Sequence, residues 1–146
     1  SKDLNFDLVN LERRIDMEYL DKIKSFEDLV VWKKSMVLTK EVYLLTRTFP
    51  DDERFSLTNQ IRRAVISIPS NIAEGFGRHS DKDYLHFLYI SRGSLYELKT
   101  QLYIARALSY LPTKKNKVDE LLLEVGKLLN GTIRKIKDGL DYNLCD

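Results

Sequence analysis

The chain has 146 residues, 43% of them hydrophobic and 32% charged, with a formal net charge of +2, which fits one globular domain whose core needs neither disulfides nor a structural metal. Six glycines and three prolines are too few for an all-β fold built on frequent turns. No run approaches the roughly 18 apolar residues that a membrane span needs, and Cys145, the lone cysteine, cannot close an internal disulfide, so a cytoplasmic setting is expected.

The pattern predicts an all-α chain in three parts: an N-terminal extension over 1–25, a four-helix bundle over 26–140 and a loose tail over 141–146. In the extension, Leu8, Leu11, Ile15, Tyr19 and Ile23 step by three and four, an amphipathic helix over 5–24. Met17 is an alternative native start. The first bundle helix is expected over 27–48, with Trp32, Met36, Thr39, Val42, Tyr43 and Thr46 or Phe49 facing inward. Phe49-Pro50 ends it, because the residue before proline is driven out of the α region.

Asp51, Asp52 and Glu53 suit the positive end of a second helix over 52–76. Leu57, Ile61, Ala64, Val65, Ile68, Ile72 and Ala73 form its stripe. Pro69 falls inside that stripe and predicts a kink, while Gly75 and Gly77 predict a left-handed stop. The third helix, over 81–109, starts at a Ser80/Asp83 cap and buries Tyr84, Phe87, Leu88, Leu95, Leu98, Leu102, Ile104, Ala105 and Leu108. Gly93 in its middle predicts a close approach by a neighbouring helix. After Leu111-Pro112, a fourth helix over 113–139 places Val118, Leu121, Leu122, Val125, Leu128, Leu129, Ile133 and Ile136 inward. Four such helices joined by short turns read as an up-down-up-down bundle.

Charge is unevenly spread. Residues 1–30 carry a net −3 and the remainder a net +5. Lys114, Lys115, Lys117, Lys127, Arg134 and Lys135, with Arg62 and Arg63 on the second helix, are candidate nucleic-acid contacts; a solvated basic face is the competing reading. Beside the apolar stripe of the second helix runs a polar one of Gln60, Arg63, Ser67, Asn71, Glu74 and Arg78, matched on the third helix by Arg92, Ser94, Glu97 and Gln101. Polar groups at a core edge need partners. Either Glu74, Glu97, Arg78 and Arg92 satisfy one another, within a protomer or between subunits, or the arginines face outward and hold phosphates.

Catalytic constellations are sparse. A single Asp-x-x-His (Asp83, His86) falls short of the paired carboxylate–histidine sets of metal-binding bundles. No nucleophile elbow or phosphate-cradling glycine loop is present. Arg78 and His86 miss, by their spacing, the Arg–His arrangement of helical ribonucleases. A non-enzymatic protein without cofactor or metal is expected.

Phe26-Glu27-Asp28-Leu29, Val31-Trp32-Lys33, Gln60-Ile61-Arg62-Arg63-Ala64, Ser67-Ile68-Pro69-Ser70-Asn71-Ile72-Ala73-Glu74-Gly75 and Arg92-Gly93-Ser94-Leu95-Tyr96-Glu97 together resemble a bacterial family. Its members are four-helix-bundle proteins encoded within intervening sequences of large-subunit ribosomal RNA genes, and they are similar to accessory variability proteins of diversity-generating retroelements. The resemblance implies a ring-shaped homo-oligomer, a homopentamer, with basic surface for RNA and no catalytic residue to carry over. It marks Gln60, Arg63, Asn71, Glu74, Arg92, Ser94 and Glu97 as determinants of fold and assembly first and of binding second. The function expected is an RNA-binding or ribonucleoprotein adaptor. The alternative is a structural assembly protein that recruits a protein such as a reverse transcriptase, and a cryptic helical ribonuclease ranks below both.

Overall fold

A computed structural model describes residues 2–144; Ser1, Cys145 and Asp146 fall outside them. Five α-helices follow in order, α1 (Lys2–Lys22), α2 (Val30–Thr46), α3 (Leu57–Phe76), α4 (Asp81–Ala107) and α5 (Lys117–Leu144), with 3-10 turns at Phe26–Asp28 and Asp51–Glu53. Helices α2 to α5 pack as a square, α2 on α3, α3 on α4, α4 on α5 and α5 back on α2. This is the expected up-down-up-down bundle, and no strand occurs among the described residues. Leu38, Ile61, Ile68, Ile72, Leu88, Leu98 and Leu129 fill its centre. No helix is long and apolar enough to cross a membrane among the described residues.

Several expectations change. Helix α2 buries Val31, Ser35, Leu38, Val42 and Thr46; Val42 and Thr46, with Phe49 beyond the helix, face inward as predicted, whereas in the first half the buried set lies one position before Trp32, Met36 and Thr39, and Met36 is exposed. Trp32 is half-buried and sets its edge on Phe26, centroids 5.2 Å apart. Helix α2 carries apolar residues on most of its circumference, so periodicity alone cannot fix which face turns inward. Ile104 and Leu108 of the third predicted stripe are exposed. The last helix starts at Lys117, not 113, and continues through Leu144, so residues 141–144 are helical where a loose tail was expected.

Asp51–Glu53 form a separate turn, and α3 starts only at Leu57. The acidic preference is still used there. Glu53 Oε2 accepts the Leu57 N–H at 3.1 Å, one of the donors a helix start leaves unpaired. Glu53 Oε1 accepts from the Tyr110 hydroxyl at 2.9 Å, joining the α2–α3 and α4–α5 loops. At the latter loop, Asp119 accepts from Arg106 and from the Asn116 N–H. Burial alone would raise the Asp119 carboxyl, but these donors outweigh it and hold it below its ordinary value.

Pro69 is buried inside an unbroken α3. It cannot donate to the Val65 carbonyl one turn back, and Thr39 Oγ1 of α2 lies 3.4 Å from that oxygen, shared with the Ser35 carbonyl at 2.8 Å. On the α4 side, Ser91 Oγ donates to the Ile68 carbonyl at 2.9 Å, and the Ser67 and Ser94 hydroxyls pair at 2.8 Å. The small residue that permits close approach is Gly75, where a Cβ would meet Phe87 Cβ at 2.7 Å. At Gly93 a Cβ would meet nothing within 4 Å, contrary to expectation.

The left-handed stop also moves. No described glycine has positive φ, and Gly77 ends α3 at φ −77°. The left-handed residue is Ser109, φ 61°, beyond the end of α4. The Ser109 N–H donates to the Arg106 carbonyl and the Tyr110 N–H to that of Ala105, both at 2.9 Å, which closes a Schellman motif. A side chain in this conformation costs about 1 kcal/mol that glycine avoids. Ser109→Gly is therefore expected to raise stability by about 1 kcal/mol in urea denaturation; no gain would mean that the loop relaxes around Ser109.

Tyr84, at the start of α4, has a buried hydroxyl with no hydrogen-bond partner among the described residues. Burial, with the nearby Tyr19 and Asp81, pushes its pKa from 10.0 up to about 12. The folded state thus favours the protonated phenol. That contribution is fully present below pH 10 and is lost as pH rises toward 12. Because an unpaired buried hydroxyl costs about 1 kcal/mol or more, Tyr84→Phe is expected to be neutral or stabilising by about 1 kcal/mol at neutral pH. Its margin over the wild type should widen above pH 10, read from melting temperatures at pH 7 and 11.

Candidate nucleic-acid interface

The basic residues singled out in the sequence do not form one surface. Arg62 lies over the Tyr43 ring at 4.7 Å and donates from Nε to Thr46 Oγ1 at 3.0 Å, so it braces α3 against α2. Arg63 is exposed on α3. Lys114 and Lys115 are exposed in the loop before α5, and Lys117 pairs with Glu41 at 3.2 Å. Lys135 sits over the Tyr19 ring at 5.6 Å. Lys127 lines the α4 side of α5, and Arg134, seven residues on, follows along the same helical face.

There α4 and α5 enclose a shallow groove of about 130 Å³. Its walls carry Arg92 and Lys99 from α4 and Lys127 from α5, with Tyr96, Leu123 and Asn130 between them and no carboxylate in the lining. The floor is made by Leu95 and Gly126, where a Cβ on Gly126 would stand 3.4 Å from Leu95 Cδ2. Helical spacing produces the site. Arg92, Tyr96 and Lys99 step by four and three on one face of α4, and Leu123, Lys127 and Asn130 do the same on α5. Arg134, one turn beyond Asn130, extends the strip.

The charge of this strip is not neutralised internally. Arg92 Nη1 donates to Asn130 Oδ1 at 3.3 Å, and its guanidinium lies 4.8 Å from the Tyr89 ring centre. A neutral amide and an aromatic face orient the cation and leave its charge intact. Arg92, Lys99, Lys127 and Arg134 form no ion pair among the described residues. Tyr96 is 53% exposed, enough for a flat ring to be stacked upon. Cations spaced along a groove beside an open aromatic ring match the needs of a single-stranded polyanion with bases.

The polar stripe resolves into local contacts. Asn71 Nδ2 donates to the Ser67 carbonyl at 2.8 Å and to its hydroxyl at 2.9 Å, continuing into the Ser67–Ser94 pair. Arg78 pairs with Glu74 at 2.9 Å and covers the Phe87 ring at 4.7 Å. Glu97 accepts from Gln101 at 3.2 Å, and Gln60 is exposed. The four charges thus divide into an Arg78–Glu74 pair, an Arg92 turned to α5 and a Glu97 held by an amide, in place of one mutual network. His86 is exposed. No group of three or more metal-ligating side chains occurs among the described residues.

A family model described as 23S rRNA-intervening sequence protein matches residues 27–131, a span that starts just ahead of α2 and includes Arg92, Tyr96, Lys99, Lys127 and Asn130. The chain belongs to the 23S rRNA-intervening sequence protein family. Among solved structures, this intervening-sequence protein is similar to a protein of unknown function from the S23 ribosomal protein family of Bacteroides thetaiotaomicron VPI-5482. The two share 24% identity and a TM-score of 0.66 over 72% of this chain and 96% of that one, a likeness of fold. No curated protein matches the chain. Helix α1 and residues 132–144 lie outside the span that defines the family match.

Sequence reasoning missed Lys99, Tyr96 and Asn130. The four-and-three step of Arg92, Tyr96 and Lys99 was legible on α4, but its significance depends on α5 presenting Lys127 opposite.

Proposed function

We propose that this intervening-sequence protein is a non-catalytic RNA-binding protein that works as a self-associating ribonucleoprotein component. The α4–α5 groove is its RNA-facing surface. The observation that carries the reading is the set of unpaired cations, Arg92, Lys99 and Lys127, in a groove without carboxylates and beside an exposed Tyr96. Phosphates bind the cations and release their counterions, and Tyr96 stacks on a base. A homopentameric ring would repeat this groove around one assembly and multiply weak contacts by avidity. That ring, and a relation to retroelement accessory proteins, follow from the sequence resemblance.

The test is fluorescence anisotropy with a labelled single-stranded RNA, using protein first shown free of nucleic acid by its absorbance ratio at 260 and 280 nm. Binding that weakens linearly in log Kobs against log salt is expected. Absence of binding at low salt and micromolar protein would end the RNA reading and turn attention to a protein partner.

A further inference from the structure

Helix α1 is a helix without a visible seat. Leu8, Leu11 and Ile15 are each more than half exposed, although they form one heptad-like seam at steps of three and four. By helical position Asp7, Arg14 and Glu18 flank that seam on one side, a net acidic row, and Glu12 flanks it on the other. Its described contact with the bundle is at its C-terminal end, where Tyr19 meets Lys135. Ile23 beyond it is packed against the core, so the helix is anchored at its root while Leu8, Leu11 and Ile15 stand exposed along its shaft.

Helix α2 offers the complementary surface. Its outward face carries Val30, Val37 and Leu44, each at least 40% exposed, at steps of seven. Lys33, Lys40 and Arg47 follow at the same steps, three residues later in each case, and all are exposed. The acidic residue nearest this face, Glu41, is engaged by Lys117. An apolar stripe bordered on one side by cations at heptad spacing fits an amphipathic helix with an apolar seam and a net acidic row along one flank. The lengths agree as well. At 1.5 Å per residue, the 21-residue α1 spans about 31 Å and the 17-residue α2 about 25 Å.

We propose that α1 of one copy docks along the outward face of α2 of a second copy. Leu8, Leu11 and Ile15 then cover Val37 and Leu44, and Asp7 and Glu18 on the facing flank meet the row of Lys33, Lys40 and Arg47. Used reciprocally the contact closes a dimer, and used head to tail it closes a ring. The inference deepens the self-association part of the proposed function and is independent of RNA, since α2 and the α4–α5 groove occupy different sides of the bundle.

The test is light scattering on the full chain, freed of nucleic acid, with two surface variants. One is the arm variant Leu8→Asp/Leu11→Asp/Ile15→Asp, and the other the receptor variant Lys33→Glu/Lys40→Glu/Arg47→Glu. The wild type is expected above the 17.1 kDa monomer mass, with each variant alone shifted toward it. An equal mixture should recover a complex holding both, because the receptor variant still has its arm and the arm variant its receptor. Adding Asp7→Lys/Glu18→Lys to the receptor variant should restore its assembly, which separates loss of the contact from loss of fold. A wild type at monomer mass overturns the proposal. So do variants that keep the wild-type mass, which would leave self-association itself standing on another surface.

Discussion

Gly75→Leu is expected to destabilise the bundle by about 3 kcal/mol, the upper part of the usual cost of overpacking a core. Gly75 is buried where α3 crosses the start of α4. A Cβ there would lie 2.7 Å from Phe87 Cβ, 2.9 Å from Tyr84 Cδ2 and 3.2 Å from the Tyr84 carbonyl oxygen. Phe87 Cβ and the carbonyl cannot swing away as a side-chain tip can, so α4 itself must move. Gly75→Ala meets the same atoms with less bulk, and its helix-propensity gain of about 1 kcal/mol offsets part of the loss. Gly93 supplies the contrast. Nothing lies within 4 Å of a Cβ there, and Gly93→Ala is expected to gain up to about 1 kcal/mol. Urea denaturation of both variants decides the matter. Equal effects would mean that the α3–α4 spacing is not set by Gly75.

The second large effect concerns RNA. Arg92→Gln/Lys99→Gln/Lys127→Gln removes three cations from the groove walls. At a slope of about 0.7 per phosphate contact on a single strand, the dependence of log Kobs on log salt should become shallower by about 2. Affinity near 0.1 M salt should fall by roughly one to two orders of magnitude, at about 1 kcal/mol for each charged contact. Tyr96→Ala separates stacking from charge. It should lower affinity by about 1–3 kcal/mol and leave the salt slope in place. An unchanged slope in the triple variant would exclude the groove as the phosphate contact. Neutralising Lys114 and Lys115 in the loop provides the matched comparison, since they were the denser cluster in sequence.

The four bundle helices were legible because their apolar residues recur at three and four, and because Phe49-Pro50 and Leu111-Pro112 mark the turns. The inward face of α2 was legible only in its second half, at Val42 and Thr46. In the first half Trp32 and Met36 compete with Val31 and Leu38 around one helix, and only packing on α3 and α5 settles which set is buried. The close approach fell to Gly75 and not to Gly93 for a related reason, since a glycine in a helix is compatible with either open space or a clash-free crossing. The groove was half legible. Lys127 and Arg134 stood out as cations, but Lys99 and Tyr96 became informative only once α4 lay beside α5. Adjacency in sequence suggested one surface for Lys114, Lys115 and Lys117, whereas Lys117 turns to Glu41 and the other two are exposed in the loop before α5.

The serine hydroxyls between α3 and α4 have a mechanical consequence. Apolar packing tolerates sliding, but Ser91 donating to the Ile68 carbonyl and Ser67 paired with Ser94 act as detents. Sliding α4 by one turn, about 5.4 Å, would strand these hydroxyls in the interior at about 1–3 kcal/mol each. The opposite pair, α2 and α5, is tied at its rim by Lys34–Glu124 and Lys117–Glu41, surface bridges worth at most about 1 kcal/mol each. The two flanks therefore resist sliding by different means: buried hydroxyls fix the register of α4 on α3, whereas α5 is held on α2 by surface bridges and on α4 by the largely buried Arg106–Asp119 pair.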